Sequence, residues 1–286
     1  MNLILIETMP PWDWPPGTGA MLAKIMRNPQ SPPADRILAA NLASNPVVCD
    51  EPMAELFLSL VQDQSEPDEL RAAAAISLGP ILEETDIEGF DEDLSEPPIS
   101  RGTFELIGNI FRQLHHSRDT PKLVRRRILE AAVRGTADWH QGAIRTAYDS
   151  GDEEWLLTAV FCMQYVRGFD AEILKMLETR NPEVHQAAVV AAGRWGLSAA
   201  WTHVRSLLRS DTAKPLLLVA MGAAACIAPQ KALELLQNLA ESHDEDIAEA
   251  ANEALFEARL ENGSIEDSFV EDEDDDDPYE GQRYLQ

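Results

Sequence analysis

The stretch NPEVHQAAVVAAGRWGLSAAWTHVRSLLR, residues 181–209, predicts two short helices in succession. Asn181 can cap the first helix through its side chain, and Pro182 suits the first helical position. Gly193 weakens the end of that helix. A hairpin of this size cannot bury two apolar stripes alone, so we expect it to pack between similar units. The stripes are Val184, Ala187, Ala188 and Ala191 on the first helix, and Ala200, Val204, Leu207 and Leu208 on the second.

The same unit recurs along the chain. If the first large apolar residue of each opening helix is taken as an anchor, successive anchors lie 33, 54, 31, 29, 32 and 31 residues apart. Repetition at one period lets neighbouring hairpins bury each other. The sequence therefore predicts an all-α fold, an α-solenoid of about seven helical-hairpin repeats over residues 34–260. The anchors are Ile37, Leu70, Val124, Trp155, Val184, Leu216 and Ile247.

The single long interval contains an acidic insertion, at about residues 80–102. Residues 83–100 hold eight acidic side chains and no basic one, together with Pro97 and Pro98. This composition favours a solvated loop, with the second helix of that repeat resuming near Thr103. Beyond residue 260 the periodicity stops, and residues 271–277 are all acidic. We therefore expect residues 261–286 to form an acidic disordered tail.

Residues 1–33 do not follow the repeat pattern and are predicted to form an N-terminal cap. The segment MPPWDWPPGTG is interrupted by prolines and places Trp12 and Trp14 on either side of one aspartate. A repeat stack needs a cap on its open apolar end, and the two indoles suit that role. They could instead dock on another protein, and the sequence leaves both alternatives open.

The repeats carry a family resemblance. The segments LRAAAAISLG at 70–79, VHQAAVVAAG at 184–193 and IAEAANEALF at 247–256 resemble the V-R-x-A-A-x-x-A-L-G core of HEAT repeats. The short unit is most similar to the bacterial form of the phycobilisome-lyase-like group. The resemblance covers residues 34–260. Tetratricopeptide repeats have a similar period, but their signature Trp, Gly and Tyr positions do not recur here.

Composition and charge exclude several classes of function. The formal net charge is −27, whereas nucleic-acid affinity depends on clustered Lys and Arg. We therefore expect no nucleic-acid partner. No apolar run reaches the length of a membrane span, so we expect no membrane association and a cytoplasmic location. Three distant cysteines in apolar surroundings predict reduced core thiols, with no disulfide and no metal site. They are Cys49, Cys162 and Cys226.

The sequence also predicts that the chain is not an enzyme and uses no cofactor. A relative of the deoxyhypusine hydroxylase type would need His-Glu dipeptides for iron, and no histidine here is followed by Glu. No phosphate-binding or nucleophile motif is present. His115 and His116 are adjacent in a helix, so we expect them to point to different sides and form no ligand pair. A bilin-lyase-like enzyme with Cys162 or Cys226 at a chromophore remains the alternative.

The resemblance implies that the second helix of each repeat lines a concave face. In four successive second helices, the position that lies 9 to 12 residues before the next repeat's anchor is occupied by a basic residue. Trp201 lies one turn before the last of them, where an indole can stack on a guanidinium. This ladder predicts a groove for an acidic partner segment, unless the cations are paired locally on their own helices. The four bases are Arg112, Arg145, Lys175 and Arg205.

Together these features predict a non-catalytic protein–protein interaction scaffold or adaptor that binds a partner segment on its concave face. Two alternatives remain: an enzyme that uses the groove for a small molecule, and an acidic regulatory protein that acts through its tail. Opposite charges on one chain meet at high effective concentration. The tail, or the insertion, could therefore shield the ladder until a partner displaces it.

Overall fold

The structure of the protein is a computed structural model that describes residues 3–90 and 97–261. The chain divides into two compact units, Met1–Phe169 and Asp170–Gln286. Neither described range contains a β-strand. The helices of the first unit are α1 (Leu3–Glu7), α2 (Thr18–Arg27), α3 (Pro33–Ala43), α4 (Glu51–Gln62), α5 (Asp68–Ser77), α6 (Gly79–Glu88), α7 (Arg101–His116), α8 (Lys122–Ala132), α9 (His140–Tyr148) and α10 (Glu153–Cys162). Those of the second unit are α11 (Asp170–Met176), α12 (Pro182–Arg194), α13 (Trp201–Leu207), α14 (Lys214–Ile227), α15 (Pro229–Ala240) and α16 (Glu245–Glu261).

Helical hairpins stack on one another in the first unit. The first helices of successive repeats, α3, α5, α8 and α10, pack side by side. Each second helix packs on the first helix that follows it in the chain, as α4 does on α5 and α7 on α8. Small side chains permit this close stacking, since α5 buries a run of alanines, Ala72–Ala75.

The second unit repeats the scheme, with α12, α14 and α16 side by side and α11, α13 and α15 packed on their successors. Asn181 caps α12 as predicted, because its side chain accepts hydrogen bonds from the N–H groups of Glu183 and Val184 at 3.0 and 3.2 Å. Ala188 is fully buried. The predicted fold class, all-α with stacked HEAT-like helical hairpins, is confirmed in each unit.

Ion pairs between residues 30 positions apart link neighbouring repeats. Arg36 forms a two-pronged pair with Glu66, with N–O distances of 2.7 and 2.6 Å. The ammonium of Lys122 lies 2.6 Å from Asp152. In the second unit the ammonium of Lys214 lies 2.7 Å from the carboxylate of its partner, Asp244. The separation matches the repeat period, so each pair joins equivalent ends of two successive first helices.

The acidic insertion differs from its prediction. Residues 79–88 form α6, so the predicted solvated loop was wrong there. Ile81, Leu82 and Thr85 are buried, and α6 packs on α8, which stabilises the helix despite its acidic side chains. The prolines that argued against a helix, Pro97 and Pro98, follow it in the chain. Residues 91–96, and the predicted tail at 262–286, lie outside the described residues.

The two N-terminal tryptophans have different environments. The indole N–H of Trp14 donates to the carbonyl oxygens of Ile6 and Met9, at 3.1 and 3.0 Å. Trp14 thus fixes the backbone of this segment. Trp12 is 80 % exposed and covers no apolar surface of the chain in the way a plug would. The proposed boundaries of the cap, the repeat region and the tail stay predictions.

Candidate functional site

A groove with a volume of about 390 Å³ opens in the first unit between α6, α7 and the loop that joins α8 to α9. Its lining combines apolar and aromatic side chains with a smaller number of polar ones, a composition typical of binding sites. The lining includes Leu82 of α6, Phe104, Glu105, Gly108, Asn109, Phe111 and Arg112 of α7, and Gly135, Thr136, Ala137, Asp138, Trp139 and His140 around the loop.

Helix α6 forms one wall of the groove and holds the loop opposite. The carboxylate of Asp86 accepts hydrogen bonds from the N–H of Thr136 at 3.1 Å and from its hydroxyl at 2.8 Å. Glu83 pairs with Arg134 at 3.0 Å. These contacts join the insertion to the next repeat. Leu82 is the residue that this region contributes to the lining of the groove.

Aromatic rings form the floor. Phe104 lies so close to Gly135 that a β-carbon there would meet the ring at 3.0 Å. Two turns further along α7 lies Phe111, which is fully buried. Trp139 is 9 % exposed. Because Phe111 and Trp139 are packed in the core, a ligand does not have to order these two rings.

A cluster of histidines surrounds Trp139. The ring centroids of His115, His116 and His140 lie 5.3, 5.7 and 4.6 Å from that of the indole. The prediction that His115 and His116 point to different sides was wrong, since both rings contact the same indole. This neighbourhood arises because the loop before α9 folds back against the end of α7, which no local spacing reveals.

Two of these histidines are oriented by backbone carbonyls. The Nδ1 of His115 lies 3.2 Å from the carbonyl oxygen of Arg125, and that of His116 lies 2.7 Å from the carbonyl oxygen of Arg112. A carbonyl only accepts, so each Nδ1 carries the proton. The Nε2 of His115, whose ring is partly buried, is then free to accept a hydrogen bond.

Burial keeps two of the rings neutral. It lowers the pKa of His115 to about 4, and it lowers the pKa of His140 to about 4, with His115 as a second cause. Both therefore carry no charge at pH 7. Among residues 3–90 and 97–261, no group of three or more His, Cys, Asp or Glu side chains could hold a metal ion.

Arg125 departs from the repeat pattern beside this cluster. Arg36 and Arg71 occupy the same place on α3 and α5, four residues after a proline. Their Nε atoms donate to carbonyl oxygens at the end of the preceding helix, at 2.8 and 3.1 Å. The Nε of Arg125 is buried without a hydrogen-bond partner, and its guanidinium lies 5.7 Å from the ring centroid of Trp155. The repeat is thus locally distorted at the histidine cluster.

The predicted cationic ladder is divided between the two units. In the first unit, Arg112 lines the groove and pairs with Asp138 at 3.3 Å. The guanidinium of Arg145 donates to the carbonyl oxygen of Gly168 at 3.4 Å and lies 5.1 Å from the ring centroid of Phe169. Both cations therefore have partners, but these lie in neighbouring loops and not on the helices that carry the cations.

In the second unit, Lys175 on α11 and Arg205 on α13 are exposed, and Trp201 is half-buried. Among the cation–aromatic contacts of the described residues, Arg205 does not lie over Trp201. The expected stacking is therefore not formed. Whether all five residues share one binding surface stays a prediction.

The cysteines match their prediction in part. Cys49 and Cys162 are buried, and burial raises the pKa of both thiols, that of Cys49 to about 12. A thiol that stays protonated is a poor nucleophile. Cys226 is exposed, so its predicted core position was wrong.

Sequence reasoning also missed a histidine pair in the second unit. The Nε2 atoms of His185 on α12 and His203 on α13 lie 2.7 Å apart, and the Nδ1 of His203 lies 3.8 Å from Glu178. Burial lowers the pKa of His185. The two rings share one hydrogen bond, so at least one of them is neutral.

No family model matches the chain, and no curated protein does either. Solved structures resemble it. Human deoxyhypusine hydroxylase in complex with glycerol is 15 % identical, over 90 % of this chain and 88 % of its own, with a TM-score of 0.40. One engineered protein is 16 % identical, over 85 % of this chain and 98 % of its own, with a TM-score of 0.33. A second engineered protein is 15 % identical, over 87 % of this chain and 82 % of its own, with a TM-score of 0.37.

One of these similar structures is an enzyme, and this corrects the sequence prediction that the chain has no catalytic role. A missing His-Glu dipeptide excludes one metal chemistry, and it does not make a helical-repeat chain non-catalytic. A likeness at this identity and TM-score assigns no activity to this chain. Among the described residues, no helix is long and apolar enough to cross a membrane.

Proposed function

We propose that this chain is a protein-interaction module that binds a segment of a partner protein in the groove between α6, α7 and the α8–α9 loop. The observation that carries the proposal is the groove itself, about 390 Å³ in volume, with an aromatic floor and a polar rim. Buried aromatic anchors surrounded by polar groups are typical of the centres of protein interfaces. We also propose that the chain is a member of the short bacterial HEAT group.

Arg112 belongs to this surface because it lines the groove and because its ion-pair partner, Asp138, is exposed. Such an exposed ion pair contributes little to stability, so a partner can replace it at low cost. Arg145, Lys175, Arg205 and Trp201 remain proposed contacts for a longer partner. The proposed partner is a protein or peptide, with no nucleic acid and no cofactor required.

A small-molecule ligand is the second candidate. The volume of the groove falls within the range of small-molecule sites, roughly 300–1,000 Å³. His140 lines the groove as a neutral imidazole, and the amide side chain of Asn109 lines it as well. These groups could orient a ligand that donates hydrogen bonds.

The test uses a phage-displayed peptide library selected on the full chain, followed by calorimetry with the selected peptides. Asn109→Trp places a bulky ring at the rim of the groove. Gln113→Trp places the same ring one turn further along α7, where the residue is also exposed but does not line the groove.

We expect Asn109→Trp to weaken peptide binding by about tenfold or more, because it fills the site, and Gln113→Trp to leave it unchanged. Equal affinity of both variants and the native chain would place the peptide site elsewhere. A small-molecule screen in which only Asn109→Trp abolishes binding would favour the second candidate.

A further inference from the structure

Gly108 is a residue that the fold does not require. It lies in the middle of α7, and a glycine there costs the helix about 1 kcal/mol relative to alanine. A β-carbon added at Gly108 would meet no atom within 4 Å. At Gly193, by contrast, a β-carbon would collide with the backbone of Ala223, and at Gly135 it would be in tight contact with the ring of Phe104. Nothing in the described chain therefore explains the absence of a side chain at Gly108.

The position of Gly108 indicates what the absence of a side chain makes possible. The residue is exposed and lines the groove beside Phe104, Glu105 and Arg112. Glycine is common where another backbone or a flat ring must approach a helix closely. The bare backbone of α7 at this point lets a ligand lie directly against the helix.

The charges around the groove indicate the character of that ligand. Glu105 is exposed and makes no ion pair or hydrogen bond with another described residue. Arg112 is neutralised by Asp138, and His140 carries no charge at pH 7. Of the charged side chains that line the groove, Glu105 and Asp138 are acidic and Arg112 is basic, which leaves a net charge of −1. The groove thus presents net negative charge and suits a cationic ligand.

We propose that the groove binds a basic amphipathic peptide segment of a partner protein, and this inference rests on the proposed function. Its apolar or aromatic side chain lies against α7 at Gly108, above Phe104 and Trp139. A Lys or Arg of the segment pairs with Glu105. This ligand has the opposite charge to the acidic segment that the cationic ladder predicted.

The experiment compares two synthetic peptides with one apolar pattern, acetyl-KLWKALLK-amide and acetyl-ELWEALLE-amide, by calorimetry with the full chain. We expect the basic peptide to bind about tenfold or more tightly than the acidic one, and its affinity to fall as salt is raised. Glu105→Gln should weaken the basic peptide about threefold. Glu253→Gln on α16, which removes the same charge from an exposed site in the other unit, should not.

Two glycine variants separate contact from charge. Gly108→Leu fills the site and should weaken the basic peptide by about tenfold or more, without loss of helix content by circular dichroism. Gly142→Leu is the matched control, because Gly142 is exposed on α9, has open space at its β-carbon and does not line the groove. It should leave the affinity unchanged.

The outcomes distinguish this inference from the proposed function. If the acidic peptide binds more tightly and Gly108→Leu abolishes binding, the groove is a peptide site and the basic partner is refuted. If the basic peptide binds equally well to the native chain and to Gly108→Leu, contact at Gly108 is refuted. If neither peptide binds, and the library peptides bind Asn109→Trp as tightly as the native chain, both the inference and the proposed function fail.

Discussion

Two helical glycines, one in each unit, show that the same residue can serve different purposes. In the second unit, a β-carbon at Gly193 of α12 would lie 2.7 Å from the Cα of Ala223 on α14, so the glycine permits close packing of two helices. In the first unit, the space above Gly108 on α7 is open and forms part of the groove. One glycine therefore serves stability, whereas the other leaves a surface available.

The largest effect is expected where the helices touch. Gly193→Leu should lower the free energy of unfolding by about 3 kcal/mol, because the side chain collides with the backbone of α14 rather than with a movable side chain. Gly222→Ala is the control, since a β-carbon there meets nothing within 4 Å. Urea unfolding of both variants measures the difference. A native-like midpoint for Gly193→Leu would contradict the close approach of α12 and α14.

A somewhat smaller loss is expected one and a half turns earlier on α12. Ala188 is fully buried, whereas Ala187 is only half-buried. Ala188→Leu should overpack the stack and lower the free energy of unfolding by about 2 kcal/mol, and Ala187→Leu should have the smaller effect. Thermal unfolding tests the order. If Ala188→Leu left the transition unchanged, the register of this repeat would be wrong.

A histidine of the groove should make the free energy of unfolding depend on pH. The folded pKa of His140 is about 4, and an unfolded histidine titrates near 6.5. Between these values the unfolded chain binds more protons, so stability rises with pH and is lost as the pH falls. From pH 7 to pH 5 the loss from this group is about 2 kcal/mol.

The matched variants are His140→Gln and His243→Gln, the second at an exposed position of the other unit. Urea unfolding across this pH range should show a flatter dependence for His140→Gln only. An unchanged slope in that variant would mean that His140 is accessible to water in the folded chain.

The regular part of the fold was predictable from the sequence, because it depends on local signals. Pro182 and the cap at Asn181 begin α12 as expected, and the buried positions Val184 and Ala188 follow the helical period. Recurrence at about 31 residues then requires hairpins that pack on their neighbours. These features need no knowledge of distant contacts.

The site was not predictable, because it lies where the period fails. The acidic composition of α6 suggested a loop, but tertiary packing of Ile81 and Leu82 on α8 overrides that preference. The meeting of His115 with Trp139 joins positions 24 residues apart, through a loop whose path Asp86 fixes. Arg112 was the lining residue that the sequence singled out, and the mid-helix Gly108 beside it was a further signal that could have pointed to the groove.

The smallest expected effect tests whether that glycine is free of packing. Gly108→Ala should raise the free energy of unfolding by about 1 kcal/mol, because alanine restricts the unfolded chain and favours the helix, and the methyl group enters open space. Gly142→Ala on α9 should raise it by a similar amount, since its surroundings are equally open. The two variants differ in one respect: only Gly108 lines the groove. Binding of the basic peptide should therefore weaken in Gly108→Ala and stay constant in Gly142→Ala, so that stability and affinity change in opposite directions at one position. A loss of stability in Gly108→Ala would show that part of the chain packs on α7 at this point, and the groove would then be occupied by the protein itself.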